Sequence, residues 1–179
     1  MAGTLVVQTL QGPTSGANAN KILLGSGQEL YAPGHVIQVV NGKATTYLNT
    51  TSASYTDMPG MTASITPAST SSKILITVTY HVYVAESPGG SWLAGVVKLL
   101  RGTTALFDTE AYGSSHLLSN ANDRMMYHQS HTYLDSPSST ASLTYKLQGA
   151  TPQASSNIVF NEASYSGAQG SVTLMEIAG

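Results

Sequence analysis

The sequence predicts an all-β protein, a jelly-roll-like antiparallel β-sandwich behind a short β-rich N-terminal segment. Three observations predict it. First, Lys73–Ala85 (KILITVTYHVYVA) alternates cleanly, with Ile74, Ile76, Val78, Tyr80, Val82 and Val84 on one face. Leu75, Thr77, Thr79, His81, Tyr83 and Ala85 lie on the other. A period of two rich in β-branched and aromatic residues is a strand signal. At ~3.3 Å per residue this strand would run ~43 Å, about twice the usual length. Second, roughly ten short apolar runs are separated by Gly, Pro, Asn and Ser turn signals, the mark of a sandwich or barrel. Third, the loops between them are unequal, which favours a Greek-key or jelly-roll path over a meander. No stretch carries a convincing helical period.

In chain order, residues 1–34 differ from the rest. TLVVQTLQ and KILLGSGQELYAPG are short apolar runs, each too small to build a core of its own. They read as edge strands added to something else, or as an intertwined fibrous segment. The main domain, 35–179, starts with His35–Val40, a near-continuous apolar run read as a strand buried on both faces. Asn41-Gly42 is a strong hairpin signal, and Ala44–Leu48 would return from it. Asn49–Ser54 reads as a linker. Asp57-Met58-Pro59-Gly60 reads as a turn. Met61, Ala63 and Ile65 alternate with Thr62, Ser64 and Thr66 in a half-exposed strand that stops at Pro67.

After the long strand, Ser87–Gly90 breaks the chain. Trp92–Arg101 follows, apolar on both faces and so placed inside. Arg101-Gly102 turns into a short strand, Ala105–Asp108. Glu110–Asp123 has no period of two and reads as the longest loop. Arg124–Leu134 is a strand with Met125, Tyr127, Gln129, His131 and Tyr133 on one side. Ala141, Leu143, Tyr145 and Leu147 alternate with polar residues. Ile158–Phe160 and Ser171–Ile177 complete the set.

Composition narrows the function. The chain has 179 residues and no cysteine, so disulfide frameworks, Cys metal sites and Cys nucleophiles are excluded. Only 9% of residues are charged and the net charge is −2. With no basic stripe, nucleic acid is not an expected partner. No apolar run reaches membrane-span length, and the N-terminus lacks the charged region and apolar core of a signal peptide.

Catalytic patterns are missing. There is no Gly-x-Ser-x-Gly elbow, P-loop, dinucleotide fingerprint or HExxH. A glycosidase needs two carboxylates facing one cleft, and Asp108 with Glu110 is the nearest approach; it reads better as a solvated strand end. His128 and His131, three apart, fall on opposite faces of a strand. Asn120–Asp123 resembles a calcium-loop fragment but lacks the spaced acids. Asn49-Thr50-Thr51 matches a glycosylation sequon and reads as a turn. No cofactor, metal or enzymatic activity is expected. The ten tyrosines, against two phenylalanines and one tryptophan, carry more information. Tyrosine suits interfaces assembled from soluble parts. Tyr80, Tyr83, Tyr127 and Tyr133, with His81 and His131, are the expected oligomer-interface residues.

GQELYAPGHVIQVV (27–40) resembles a junction in fibre and other appendage proteins of tailed phages, especially those of marine cyanobacteria. SITPASTSSKILITVTYHV (64–82), TYLDSPSSTASLTYKLQ (132–148) and GSVTLMEIAG (170–179) resemble the head domain of the same proteins. The resemblance implies a virion protein made in the host cytoplasm, with a jelly-roll-like head assembled as a homotrimer. It implies that 1–34 is an attachment segment, through Thr4, Leu5, Val6, Val7 and Leu10 to other virion proteins. Distal loops would then meet a host cell-surface glycan or protein, with Trp92, Ser115, His116, Asn120, Asn122 and Asp123 as the receptor-binding set. The chain has no room for a long shaft, which raises a second expectation: a capsid or tail decoration protein without a receptor role, its first ten residues adding a strand to a neighbour's sheet.

Overall fold

A computed structural model describes residues 8–17, 19, 24–26, 32–85, 92–109, 115–118, 124–152, 157–162 and 169–179. The chain divides into two compact units, Met1–Ala32 and Pro33–Gly179. In the first, Gly16 adopts a positive φ of 87° and its carbonyl accepts from Ala19 N–H at 3.1 Å, a local turn. Leu10 is 60% exposed.

The second unit is an antiparallel β-sandwich of eleven strands with no helix among the described residues. In order these are β1 (Val36–Lys43), β2 (Leu48–Thr50), β3 (Thr56–Ile65), β4 (Lys73–Ala85), β5 (Trp92–Arg101) and β6 (Thr104–Asp108). Then come β7 (Ser115–Leu118), β8 (Arg124–Asp135), β9 (Leu143–Ala150), β10 (Asn157–Phe160) and β11 (Ser171–Ile177). One sheet runs β1-β11-β4-β10-β2, with β8 on the other edge of β4; the second runs β3-β9-β5-β6, with β7 also on β5. The chain crosses between sheets at β3–β4–β5 and again at β8–β9–β10, so each sheet is woven from distant parts of the sequence.

β4 organises its sheet as its alternation predicts. Ile74, Ile76, Val78, Tyr80, Val82 and Val84 are each no more than 2% exposed. β11 pairs with its first half and β10 with its second, while β8 pairs along its whole length, Ile74↔Asp135 to Ala85↔Arg124. β5 faces it from the other sheet, buried on both faces as its sequence requires: Ala94, Val97 and Leu99 are fully covered. Met61, Ala63 and Ile65 of β3, Tyr145 and Leu147 of β9, and Val172 and Leu174 of β11 fill the core.

The turn signals mislead in two places. Asn41-Gly42 is no hairpin: β1 runs straight through it, pairing Asn41↔Thr173 and Gly42↔Val172. The glycine is needed because a Cβ there would overlap the Thr62 carbonyl oxygen of the facing sheet. Pro59-Gly60 is no turn either. It lies inside β3, where the register to β9 shifts between Asp57 and Thr62. Gly60 has φ +77° there, and Pro59 O accepts from Thr45 N–H at 3.1 Å. A bulge of this kind bends an edge strand and blocks pairing beyond it. β1 is also an edge strand, not one buried on both faces: Val36 and Val39 are 41% and 57% exposed. β2 occupies part of the expected linker 49–54, and β7 occupies part of the expected loop 110–123, pairing Trp92↔Leu118 to Gly95↔Ser115.

Candidate functional site

An array of polar and aromatic groups follows the β4–β8 pair. Their unbroken register puts His131 opposite Val78 and His128 opposite His81. On the inner face, Tyr80 Oη and His131 Nε2 are 3.0 Å apart and the two rings stack, centroids 5.8 Å apart. Phe107 of β6 closes over them, 5.2 Å from His131 and 6.4 Å from Tyr133. On the outer face, the residues after β10 cover β4: Asn161 N–H donates to His81 O at 3.0 Å, and His81 Nε2 lies 3.0 Å from the Glu162 carbonyl oxygen. The His81 and His128 rings are 5.5 Å apart. Beside them is a cavity of about 320 Å³ lined by Thr79, His81, His128, Ser130, Gln169 and Gly170.

This geometry corrects two interface expectations. Tyr80 and His81 are 2% and 1% exposed within one chain, so neither offers a surface to another subunit. Tyr80 belongs to the core-facing row, and His81 is roofed by 161–162, which periodicity alone does not show. Tyr83, Tyr127, His131 and Tyr133 are half-buried; Tyr127 and Tyr133 pack against the core cluster.

Burial lowers the pKa of both His81 and His131. For His81 the Glu162 carbonyl opposes that shift without cancelling it, and the nearby His128 adds to it. The folded state therefore binds protons less readily than the unfolded chain, whose imidazoles titrate near 6.5. This part of the stability is complete above pH 6.5 and drains away as pH falls below it. Thermal melts from pH 8 to 5 are expected to show a falling Tm that begins near 6.5, and His131→Gln is expected to flatten part of the slope. A flat profile across that range would remove the argument. Asp57 does not interfere. Burial favours its neutral form, but bonds from Gln148 and Lys146 outweigh burial and hold it below 3.8.

The carboxylates are committed elsewhere. Asp108 pairs with Lys98 at 3.0 Å and accepts from Tyr55 Oη. Glu110, its expected companion, lies outside the described residues. Asp135 accepts from Arg101 Nη1 at 2.7 and 2.8 Å and from Tyr145 Oη at 2.7 Å. Glu176 is fully buried and accepts from Gln38 at 2.6 Å and from Ala68 N–H at 2.7 Å, tying the 66–68 loop to β11. No group of three metal-ligating side chains occurs among the described residues. The β4–β8 array offers hydrogen bonds and aromatic surface rather than a nucleophile with its base.

The expected receptor set is only partly placed. The backbones of Trp92, Ser115 and His116 lie in β5 and β7; the last two are in a strand rather than the predicted loop. His116 pairs with Ala94, two residues from Trp92, so the three gather at one end of β5. Asn120, Asn122, Asp123 and Ser87–Gly90 lie outside the described residues, as do Thr4, Leu5, Val6 and Val7.

No family model and no curated protein matches the chain. Among solved structures, the T13 particle of infectious bursal disease virus is 11% identical over 90% of this chain and 41% of its own, with a TM-score of 0.39. The VP2 subviral particle of that virus is 12% identical over 93% and 46%, TM-score 0.35. Dimeric latent PorU from Porphyromonas gingivalis is 10% identical over 89% and 15%, TM-score 0.34. This chain spans less than half of each, and likeness at this level decides nothing about function.

Proposed function

We propose that this chain is a virion structural protein, a short homotrimeric appendage whose head meets the host surface, and that it is not an enzyme. The observation that carries this reading is the polarity of the head. The chain enters it beside Ala178: Gly34 N–H donates to Ala178 O at 2.7 Å and Ala178 N–H to His35 O at 2.8 Å. That end of the sandwich holds Lys73, the start of β4, paired with Ile177. The other end of β4, ~40 Å away for thirteen residues, is where Ala85 meets Arg124 and Asn157. These strand ends lie remote from Gly34, where the chain enters the sandwich, and the ends of a rigid β scaffold commonly carry binding. The sequence resemblance to phage appendages supports the same reading.

A glycan array probed with the full chain tests it. Binding is expected, and Trp92→Ala together with His116→Ala is expected to reduce it at least tenfold while far-UV and near-UV circular dichroism stay unchanged. Binding that survives both substitutions, or a solution mass not divisible by three, overturns the reading.

A further inference from the structure

We infer that the two cavities bordering residues 161–162 and 169–170 together bind a small uncharged saccharide, with the Tyr47 ring as its stacking wall. The larger is the cavity of about 320 Å³ beside His81 and His128. The smaller, about 160 Å³, is lined by Thr45, Thr46, Tyr47, Asn161 and Glu162. Gln169 lines both. Their linings are bonded to each other. Ala44 N–H, on the smaller cavity, donates to Gly170 O, on the larger, at 2.8 Å. The Glu162 carbonyl oxygen lies 3.0 Å from His81 Nε2.

Backbone holds this site in place. β2 and β10 pair up to Leu48↔Phe160, which sets Tyr47 beside Asn161. Thr45 N–H donates to Pro59 O at 3.1 Å, so the 44–47 loop is pinned by both β3 and Gly170. Asn161 has a φ of +60°, a left-handed conformation that few residues other than Gly and Asn enter. It is 3% exposed, and a Cβ on Gly170 would overlap its Oδ1. Residue 170 must therefore be glycine for the shared wall to close. A buried residue held in a rare conformation beside a cavity is a mark of a functional site.

The lining chooses the ligand. Lys and Arg are absent from it among the described residues, so a phosphate or carboxylate finds no counter-charge, and Glu162 repels one. Glu162 is also the only acid in the lining, too few for a metal ion. What remains is Thr79 and Ser130, neighbours across the β4–β8 pair, with Thr45, Thr46 and Gln169. These side chains both donate and accept hydrogen bonds, as a sugar hydroxyl does. Tyr47, 47% exposed, adds an apolar ring face with a polar tip, suited to the C–H face of a pyranose. Ser130, His128 and Gln169 are exposed too, so the lining reaches solvent. The larger cavity lies at the low end of small-molecule sites, roughly 300–1,000 Å³, which fits one or two sugar rings.

This site lies in the β4 sheet, whereas Trp92 and His116 belong to the other, so it is independent of the host-contact reading. Binding through so small a site is weak and washes off an array. Saturation-transfer NMR on the full chain tests it, with maltose, cellobiose, lactose and chitobiose as probes and glucose 6-phosphate as the charged comparison. Transfer to at least one of the uncharged sugars is expected, and less to the phosphate. Tyr47→Ala is expected to weaken binding about tenfold, the size of one ring contact. Gln169→Ala is expected to weaken it about fivefold, the size of one hydrogen bond. Both residues are exposed, so the melting temperature is expected to stay unchanged. Transfer to none of the sugars overturns the inference, as does a preference for the phosphate or full affinity in either variant. The double variant Trp92→Ala with His116→Ala is expected to keep full affinity. A loss there would move the sugar to the end of β5, overturning this site and leaving the host-contact reading standing.

Discussion

Truncating Phe160 to alanine is expected to destabilise the protein by about 3–5 kcal/mol, the range for an aromatic ring removed from a packed core. Phe160 is fully buried at the end of β10, a strand of only four residues. Its ring reaches across to the facing sheet and lies over two glycines. A Cβ on Gly95 would approach it to 3.2 Å, and one on Gly149 to 2.7 Å. The two glycines make the hollow and the ring fills it, so little can move in when the ring is gone. A loss of this size lowers Tm by roughly 10 °C in a chain of this length. Urea unfolding followed by Trp92 fluorescence measures it, with Phe160→Leu as the gentler comparison. A loss under about 1 kcal/mol would mean that the hollow collapses freely and that the ring is not what holds β10 to the second sheet.

The second large effect is expected from Asp135→Ala, at about 2–4 kcal/mol. Asp135 is 6% exposed and receives three hydrogen bonds, two from Arg101 and one from Tyr145. Burial raises the Tyr145 phenol and the carboxylate beside it raises it further, so the hydroxyl stays a donor at any pH the protein meets. For Arg101, burial works against the charge, but the bonds it donates to Asp135 and the attraction of that carboxylate outweigh it. Removing the carboxylate strands a buried hydroxyl and a half-covered guanidinium. Arg101 keeps 26% exposure and can turn partly to water, which is why the expected loss lies below that for a fully buried pair. Asp135→Leu combined with Arg101→Met and Tyr145→Phe, which leaves no buried polar group stranded, is expected to recover most of the stability. If the single substitution costs no more than a surface pair, about 1 kcal/mol or less, the triad is decoration.

What the sequence reveals follows from what periodicity measures. β4, β5, β9 and β11 are legible because each has a face, or two, wholly committed to the core, and alternation records that commitment directly. β2 and β7, at three and four residues, are too short to show a period. Asn41-Gly42 and Pro59-Gly60 are locally perfect turn signals whose use is set by a distant neighbour: Gly42 by the backbone of Thr62, Pro59 by Thr45. His81 shows the same limit at the site. Alternation places it on the outer face but cannot say that Asn161 and Glu162 fold over that face. Tyr80 could have been assigned correctly, since it stands in a row of Ile and Val that must be inside.

The placement of the chain's entrance beside Ala178, at one end of β4, has a mechanical consequence. A tether pulling at Gly34 against a grip at the far end loads the sandwich along its strands. β1 is then dragged lengthwise past β11, and its paired residues, Val36↔Ile177 to Lys43↔Ser171, share the force in parallel instead of parting one after another. Pulling Gly34 away from Ala178 sideways would open the same ladder like a zipper. The sandwich is thus expected to resist tension along its strands better than tension across them.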